Sequence, residues 1–96
     1  MATSKQTTIV LTGTAIQVAP IVPTRKYLAI QNFTIGSGNN GTMWVAFGKT
    51  ATAGLAGEFQ IVAGGVLVFE QHPPTDAISV INSGGNTTGS ICEIYF

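Results

Sequence analysis

The sequence predicts an all-β protein: a single small antiparallel β-sandwich or barrel of about eight short strands. Runs rich in Thr, Val, Ile and aromatic residues recur along the chain, whereas the helix-favouring residues Leu, Glu, Lys and Arg are scarce. Glycine or proline interrupts these runs about every ten residues, and no long stretch shows the apolar period of a helix. At 96 residues and 9.9 kDa, the chain is long enough for one domain.

The strands are predicted to follow a short flexible arm. Residues 1–6 are mostly polar and form this N-terminal arm, and residues 7–96 form the β-domain. The candidate strands of the domain are 7–12, 14–19, 25–33, 42–48, 58–63, 66–70, 77–82 and 90–96. Turn residues such as Gly13 and the Pro73-Pro74 pair separate these strands.

Two of the connections carry the signature of a β-hairpin. The loop SGNNG joins the third candidate strand to the fourth and consists of residues that tolerate positive φ. Gly64-Gly65 joins the fifth strand to the sixth and is typical of a two-residue turn of type I′ or II′. We therefore expect each of these strand pairs to lie side by side in one sheet.

Alternation within the strands predicts which side chains face the interior. In the fifth strand, for example, Phe59 and Ile61 alternate with Glu58 and Gln60. The predicted core consists of Ile9, Leu11, Ile16, Val18, Leu28, Ile30, Val45, Phe47, Phe59, Ile61, Leu67, Phe69, Ile78, Val80, Cys92 and Ile94.

The fourth candidate strand, TMWVAFG, is apolar on both faces. Trp44 and Ala46 point away from Met43 and Val45, so each face carries apolar groups. A strand of this kind needs cover on both faces, and in a short chain we expect the second cover to come from another chain. The predicted protein-interface residues are Arg25, Lys26, Met43 and Trp44. Among them, Arg25 and Lys26 would form a polar rim.

Charge limits the classes of partner. Charged residues make up 8% of the chain and the formal net charge is zero, against about a quarter charged residues in ordinary domains. Copies of such a chain associate readily because little repulsion separates them; the alternative is a neutral domain kept soluble by Ser, Thr, Asn and Gln. Nucleic acid is not an expected partner, since only Arg25 and Lys26 are adjacent. Neither a signal peptide nor a membrane-spanning run is evident.

No catalytic, cofactor-binding or metal site is predicted. Gly36, Gly38 and Gly41 spell GxGxxG, but the next residues read as a strand and not as the helix that a dinucleotide fingerprint requires. His72 is expected in an exposed loop without the partners of a catalytic or metal-binding histidine. Cys92 is the single cysteine and is expected to be a buried apolar thiol.

The order of several segments resembles a family of short structural proteins of tailed bacteriophage virions. These segments are RKYLAIQN, the Gly/Asn loop with MWVAFG, ATAG, AGGVLVFE and PTDAISVI, and the match covers roughly residues 18–96. It rests on packing and turn residues. The resemblance implies a jelly-roll-like sandwich or barrel and a non-enzymatic, oligomeric virion subunit.

Together these observations predict a capsid decoration or cement protein. Made in the host cytoplasm, it would bind the major capsid protein at the capsid surface as a homo-oligomer, with a trimer favoured. One alternative is a structural subunit of the tail, the portal vertex or the fibre base. Another is a carbohydrate-binding β-module, in which Trp44 and Tyr27 would stack on sugar rings.

Overall fold

A computed structural model describes residues 2–33, 41–53, 58–83 and 86–96. The strands are β1 (Thr3–Leu11), β2 (Ile16–Ala19), β3 (Arg25–Asn32), β4 (Thr42–Phe47), β5 (Phe59–Ile61), β6 (Val66–Phe69), β7 (Ile78–Ser83) and β8 (Thr87–Tyr95). They confirm the all-β prediction, and each candidate strand overlaps one observed strand, but residues 3–6 of the predicted arm belong to β1. Within the described ranges, no helix is long and apolar enough to cross a membrane.

The strands form a sandwich of two antiparallel sheets. The first sheet has the order β1-β8-β3-β6 and the second has the order β2-β7-β4-β5. The first strand pairs with the last, β2 with β7, β3 with β6, and β4 with β5. This nested pairing is the connectivity of a jelly roll, and the β3–β8 and β4–β7 pairs complete the sheets.

Both hairpin predictions are wrong. β3 and β5 lie in different sheets from β4 and β6 respectively, so each of these connections crosses the sandwich. Most of the SGNNG loop lies outside the described residues. At the other connection, the Gly64 N–H donates to the carbonyls of Asn32 and Phe33, and the Asn32 N–H donates to the Gly65 carbonyl. These bonds hold the turn against the end of β3 and direct the chain into the first sheet.

The core lies between the two sheets. It consists of Ile9, Leu11, Ala19, Leu28, Ile30, Met43, Val45, Ile61, Ile78, Val80 and Ile91. Two predicted core residues are instead exposed, Ile16 by 39% and Phe59 by 44%. The Phe59 ring packs edge-on against Phe47 and Phe69 at one side of the sandwich, with centroids 5.7 and 6.0 Å away.

The largest correction concerns the phase of β8. Cys92 and Ile94 were predicted to face the core, but Ile91 and Glu93 are the buried residues, at 0% and 2% exposure. Because strand side chains alternate, a shift of one residue exchanges the two faces completely. Cys92 and Ile94 are therefore half-buried on the outer face of the first sheet.

Glu93 can face inward because it forms a buried ion pair with Arg25. The Arg25 Nε donates to Glu93 Oε2 over 2.8 Å, and both side chains are almost fully buried. Arg25 Nη1 donates to the carbonyls of Pro74 and Asp76, and Nη2 donates to the carbonyl of Pro20. These carbonyls belong to the segments beside β2 and β7. One guanidinium from the first sheet thus fixes the chain at one end of the second sheet.

Two asparagines connect the sheets at the opposite end. Asn32, at the end of β3, donates through Nδ2 to the carbonyls of Gly41 and Ile61. Asn82, in β7, donates to the Thr87 hydroxyl of β8 and accepts the Gly13 N–H. Buried polar groups are tolerated when they are hydrogen-bonded. The Asn32 bonds and the Asn82–Thr87 bond also join one sheet to the other, and the Gly13 bond ties the β1–β2 connection to β7.

We expect Arg25→Met to lower the free energy of unfolding by about 3–5 kcal/mol, because it leaves Glu93 as an unpaired buried charge. Urea unfolding followed by circular dichroism measures this loss. Lys26→Met is the matched control, since Lys26 is the next residue and is exposed, and its effect should stay within about 0.5 kcal/mol. Equal stability of the two variants would contradict the structural role of Arg25.

Gly89 provides a second test of the packing. A β-carbon at this position of β8 would overlap the Gln31 carbonyl oxygen and approach Met43 Cε to 2.9 Å. We expect Gly89→Ala to cost about 1–3 kcal/mol, because the backbone of β3 must move. Ser90→Ala, on the half-buried outer face of the same strand, should be nearly neutral in the same urea titration. A neutral Gly89→Ala would show that β3 and β8 are less closely spaced.

Candidate interaction surface

The structure separates the four residues that the sequence assigned to an interface. Arg25 is 2% exposed and Met43 is fully buried, each against residues of this same chain. Neither offers surface to a partner in this fold, which corrects their placement. Lys26 is exposed in the first sheet, whereas Trp44 is half-buried on the outer face of the second sheet. An interface role for Lys26 and Trp44 stays a prediction, and the two residues do not form one site.

Part of the second cover expected for β4 comes from the chain itself. Ala46 faces away from the core and is 2% exposed. Ala51 is equally well buried, and its N–H donates to the Ser79 hydroxyl of β7 over 2.9 Å. The segment around Ala51 therefore lies on the outer face of the second sheet. Lys49 and Glu58 flank this segment and form an ion pair at 3.8 Å.

Apart from Lys26, the extra residue at the β3 bulge, the exposed strand residues on the outer face of the first sheet are uncharged. This face is formed by the strand residues that alternate with buried ones, and we call it the first-sheet face: Ser4, Gln6, Thr8, Val10, Tyr27, Ala29, Gln31, Val66, Val68, Thr88, Ser90, Cys92 and Ile94. The other charged residues of these strands point elsewhere: Arg25 and Glu93 are buried, and Lys5 lies on the inward side of β1. Long uncharged faces are unusual on a domain that meets only water.

Apolar residues are contiguous on this face. Cys92, Ala29 and Val68 lie side by side across β8, β3 and β6. Tyr27 and Ile94 form the next pair of the β3–β8 ladder. Val68 is 41% exposed, and Val66 on the same edge strand is 58% exposed. The β1 side of the face is polar, apart from Val10, so the apolar part is bordered by hydroxyl and amide groups.

Sequence reasoning missed this face because the phase of β8 was inverted. With Glu93 assumed to be outside, Cys92 and Ile94 were placed in the core. A signal was present: Arg25 and Glu93 stand in strands that each contain buried apolar residues, and opposite charges of this kind are candidates for an internal pair.

The Cys92 thiol and the His72 imidazole lie in different parts of the molecule. Cys92 is a half-buried free thiol on the first-sheet face. His72 is exposed in the segment after β6, as predicted, and has a φ of 54°. Across the described ranges, no three or more His, Cys, Asp or Glu residues come together as a metal site.

The Trp44 and Tyr27 rings belong to different sheets. Trp44 lies on the outer face of the second sheet beside Ile81, whereas Tyr27 lies on the first-sheet face. A sugar-binding platform needs aromatic faces that meet the same ligand. This arrangement gives the two rings no common binding surface.

No protein-family model matches the chain, and no curated protein matches it. The fold is similar to that of a solved structure from Bacillus, an endospore appendage described as belonging to a novel family of disulfide-linked pili. The TM-score is 0.56, and the match covers 97% of this chain and 84% of the other. The two sequences are 14% identical, so the likeness shows a shared sandwich fold.

Proposed function

We propose that this chain is a non-enzymatic structural subunit that acts through contact with neighbouring protein subunits. The uncharged first-sheet face is the observation that carries the proposal. Apart from arginine, charged residues are depleted at the centres of protein interfaces, and a few well-packed side chains there, tyrosine prominent among them, supply most of the binding energy. Tyr27 is a residue of this kind on the face, and Val68 and Ile94 are apolar residues of the same face.

The size of the face favours repeated contact over one tight contact. The four strands contain nine, nine, eight and four residues. With about 4.8 Å between strands and about 3.3 Å per residue, they span a face of roughly 19 Å by at most about 30 Å. A face of this size can supply at most about one standard interface, in which each partner buries roughly 800 Å² of accessible surface. A subunit with such a face gains strength when several copies bind one surface together.

More specifically, we propose a capsid decoration protein of a tailed bacteriophage that binds the major capsid protein as a homo-oligomer. The sequence resemblance over residues 18–96 and the low charge support this placement. The alternative within the particle is a structural subunit of the tail, the portal vertex or the fibre base, which would bind its neighbours through the same first-sheet face.

A pilus-like subunit is a second candidate, favoured by the shared fold with the Bacillus appendage protein. The present chain contains a single cysteine, Cys92. One thiol joins two copies at most, so disulfides through Cys92 alone would give pairs and not a continuous covalent fibre. We therefore favour the capsid proposal.

Cryo-electron microscopy and quantitative mass spectrometry of the particle that contains this chain test the placement. The capsid proposal predicts density on the capsid surface and hundreds of copies per particle. A few dozen copies or fewer would instead favour the tail or a vertex. Absence of the chain from the particle, or filaments built from it, would overturn the capsid proposal.

The role of the first-sheet face is tested by Val68→Asp. We expect binding to capsids that lack this chain to fall about tenfold or more, because an unpaired carboxylate would become buried in the contact. Co-sedimentation with such capsids measures the loss. Val68 is 41% exposed, so the substitution leaves the core of the subunit intact.

Gln60→Asp is the matched control for this variant. Gln60 is exposed in β5 beside Trp44 on the other sheet, and the variant adds the same charge. We expect its capsid binding to equal that of the unchanged chain. The reverse pattern, with binding lost for Gln60→Asp and kept for Val68→Asp, would move the contact to the second sheet.

A further inference from the structure

The free edge of β1 is the longest open strand edge in the described part of the chain. β1 contains nine residues and pairs with β8 along its whole length without a register shift. Within the described ranges, its other edge pairs with no strand. An uninterrupted edge presents a row of backbone N–H and C=O groups, to which a further strand can add.

The other sheet edges are shortened or interrupted. β5 has three residues and β6 has four. β2 has four residues, and its pairing with β7 shifts register between Gln17 and Ala19. Short and irregular edges are common ways in which proteins avoid strand addition. β1 is neither short nor irregular, and its one protecting charge is Lys5 on the inward side.

We propose that β1 of one copy pairs antiparallel with β1 of a second copy, with Thr7 of both copies at the two-fold axis. In this register Gln6 lies opposite Thr8, Lys5 opposite Ile9, and the two threonines at position 7 oppose each other. The two copies of Lys5 are thus kept apart, and hydroxyl and amide groups meet across the new ladder. Thr–Thr pairs of this kind stabilise antiparallel sheets.

The burial pattern of β1 fits a second copy. On the inward side of the strand, Ile9 and Leu11 are buried, whereas Thr3 and Lys5 are exposed. The second sheet therefore covers only the C-terminal half of this side. Antiparallel pairing places the uncovered half of one strand beside the covered half of the other. The two second sheets are then displaced along the strands and do not compete for the same space.

Charge and continuity also favour a second copy as the occupant. The formal net charge of zero removes repulsion between identical chains. Pairing at β1 joins the two first sheets into one eight-stranded sheet, and their uncharged faces become continuous. The contact buries Val10, which is 56% exposed in the single chain. The inference is independent of the capsid proposal, and it predicts a two-fold dimer as the basic unit instead of the trimer expected from the sequence.

Paired charge variants of the full chain test this contact. Gln6 and Thr8 are both exposed on the same face of β1 and oppose each other across the axis. In the double variant Gln6→Lys with Thr8→Lys, like charges meet twice, and we expect the dimer dissociation constant to rise about tenfold or more. In the matched variant Gln6→Lys with Thr8→Glu, opposite charges meet, and the constant should fall or stay unchanged. Analytical ultracentrifugation over a dilution series measures both.

Cysteine cross-linking tests the register. In a Cys92→Ser background, Thr7→Cys places two thiols directly opposite each other, about 5 Å apart between β-carbons. Thr8→Cys is the control, because its two thiols are diagonal, about 7–8 Å apart and beyond disulfide reach. Under mild oxidation we expect a covalent dimer from Thr7→Cys and at least about fivefold less from Thr8→Cys.

Several results would overturn the proposal. A chain that stays monomeric at millimolar concentration, or forms only a trimer, has no β1–β1 contact. A dimer of equal affinity in both charge variants uses another surface. Equal cross-linking yields at positions 7 and 8 would reject the Thr7 register. If the unchanged chain is a monomer but binds an extended capsid peptide at β1, then a partner strand and not a second copy occupies the edge.

Discussion

The buried contact between Arg25 and Glu93 determines much of the remaining structure. It compensates two charges in the interior, and the guanidinium also binds three backbone carbonyls beside the second sheet. Because Glu93 is satisfied inside, β8 can adopt the phase that places Ile91 in the core and Cys92 outside. The uncharged character of the first-sheet face is therefore a consequence of an ion pair on the opposite side of the same sheet.

The positions of the strands were predictable from the sequence, but their partners were not. Strand positions depend on local composition and on turn residues, which are read directly from the chain. Gly64-Gly65 marks a reversal in the sequence, yet the reversal leads from the second sheet to the first. A hairpin and a crossing connection have the same local signal. Only the bonds of Gly64 and Gly65 to the end of β3 distinguish them, and these join residues more than thirty positions apart.

The candidate surface was only partly predictable for a similar reason. The alternation of side chains defines two opposite faces for each strand. Which face is assigned to the core depends on whether the charged residue of the strand faces solvent or the interior. In β8 the charged residue, Glu93, faces the core. The assumption that charged side chains face solvent therefore assigned the side chains of this strand to the wrong faces. For β4, both faces were correctly recognised as apolar. The structure assigns Met43 to the core and buries Ala46 on the outer face, where Ala51 is hydrogen-bonded to the neighbouring Ser79. The second cover was expected from another chain because a loop of small residues carries no packing signal.

The low charge of the chain acquires a structural explanation from these contacts. The sequence has four cationic and four anionic residues. Two of each are engaged in the Arg25–Glu93 and Lys49–Glu58 pairs, and only Lys5, Lys26, Glu70 and Asp76 remain for the rest of the surface. An isolated domain normally uses many more charges to keep its copies apart. In a free monomer, an uncharged sheet face exposes apolar side chains to water, and an uninterrupted edge strand is open to unwanted strand pairing. Both features become favourable once another subunit covers them. Their occurrence in one sheet is what supports the proposal that this chain acts in contact with other subunits.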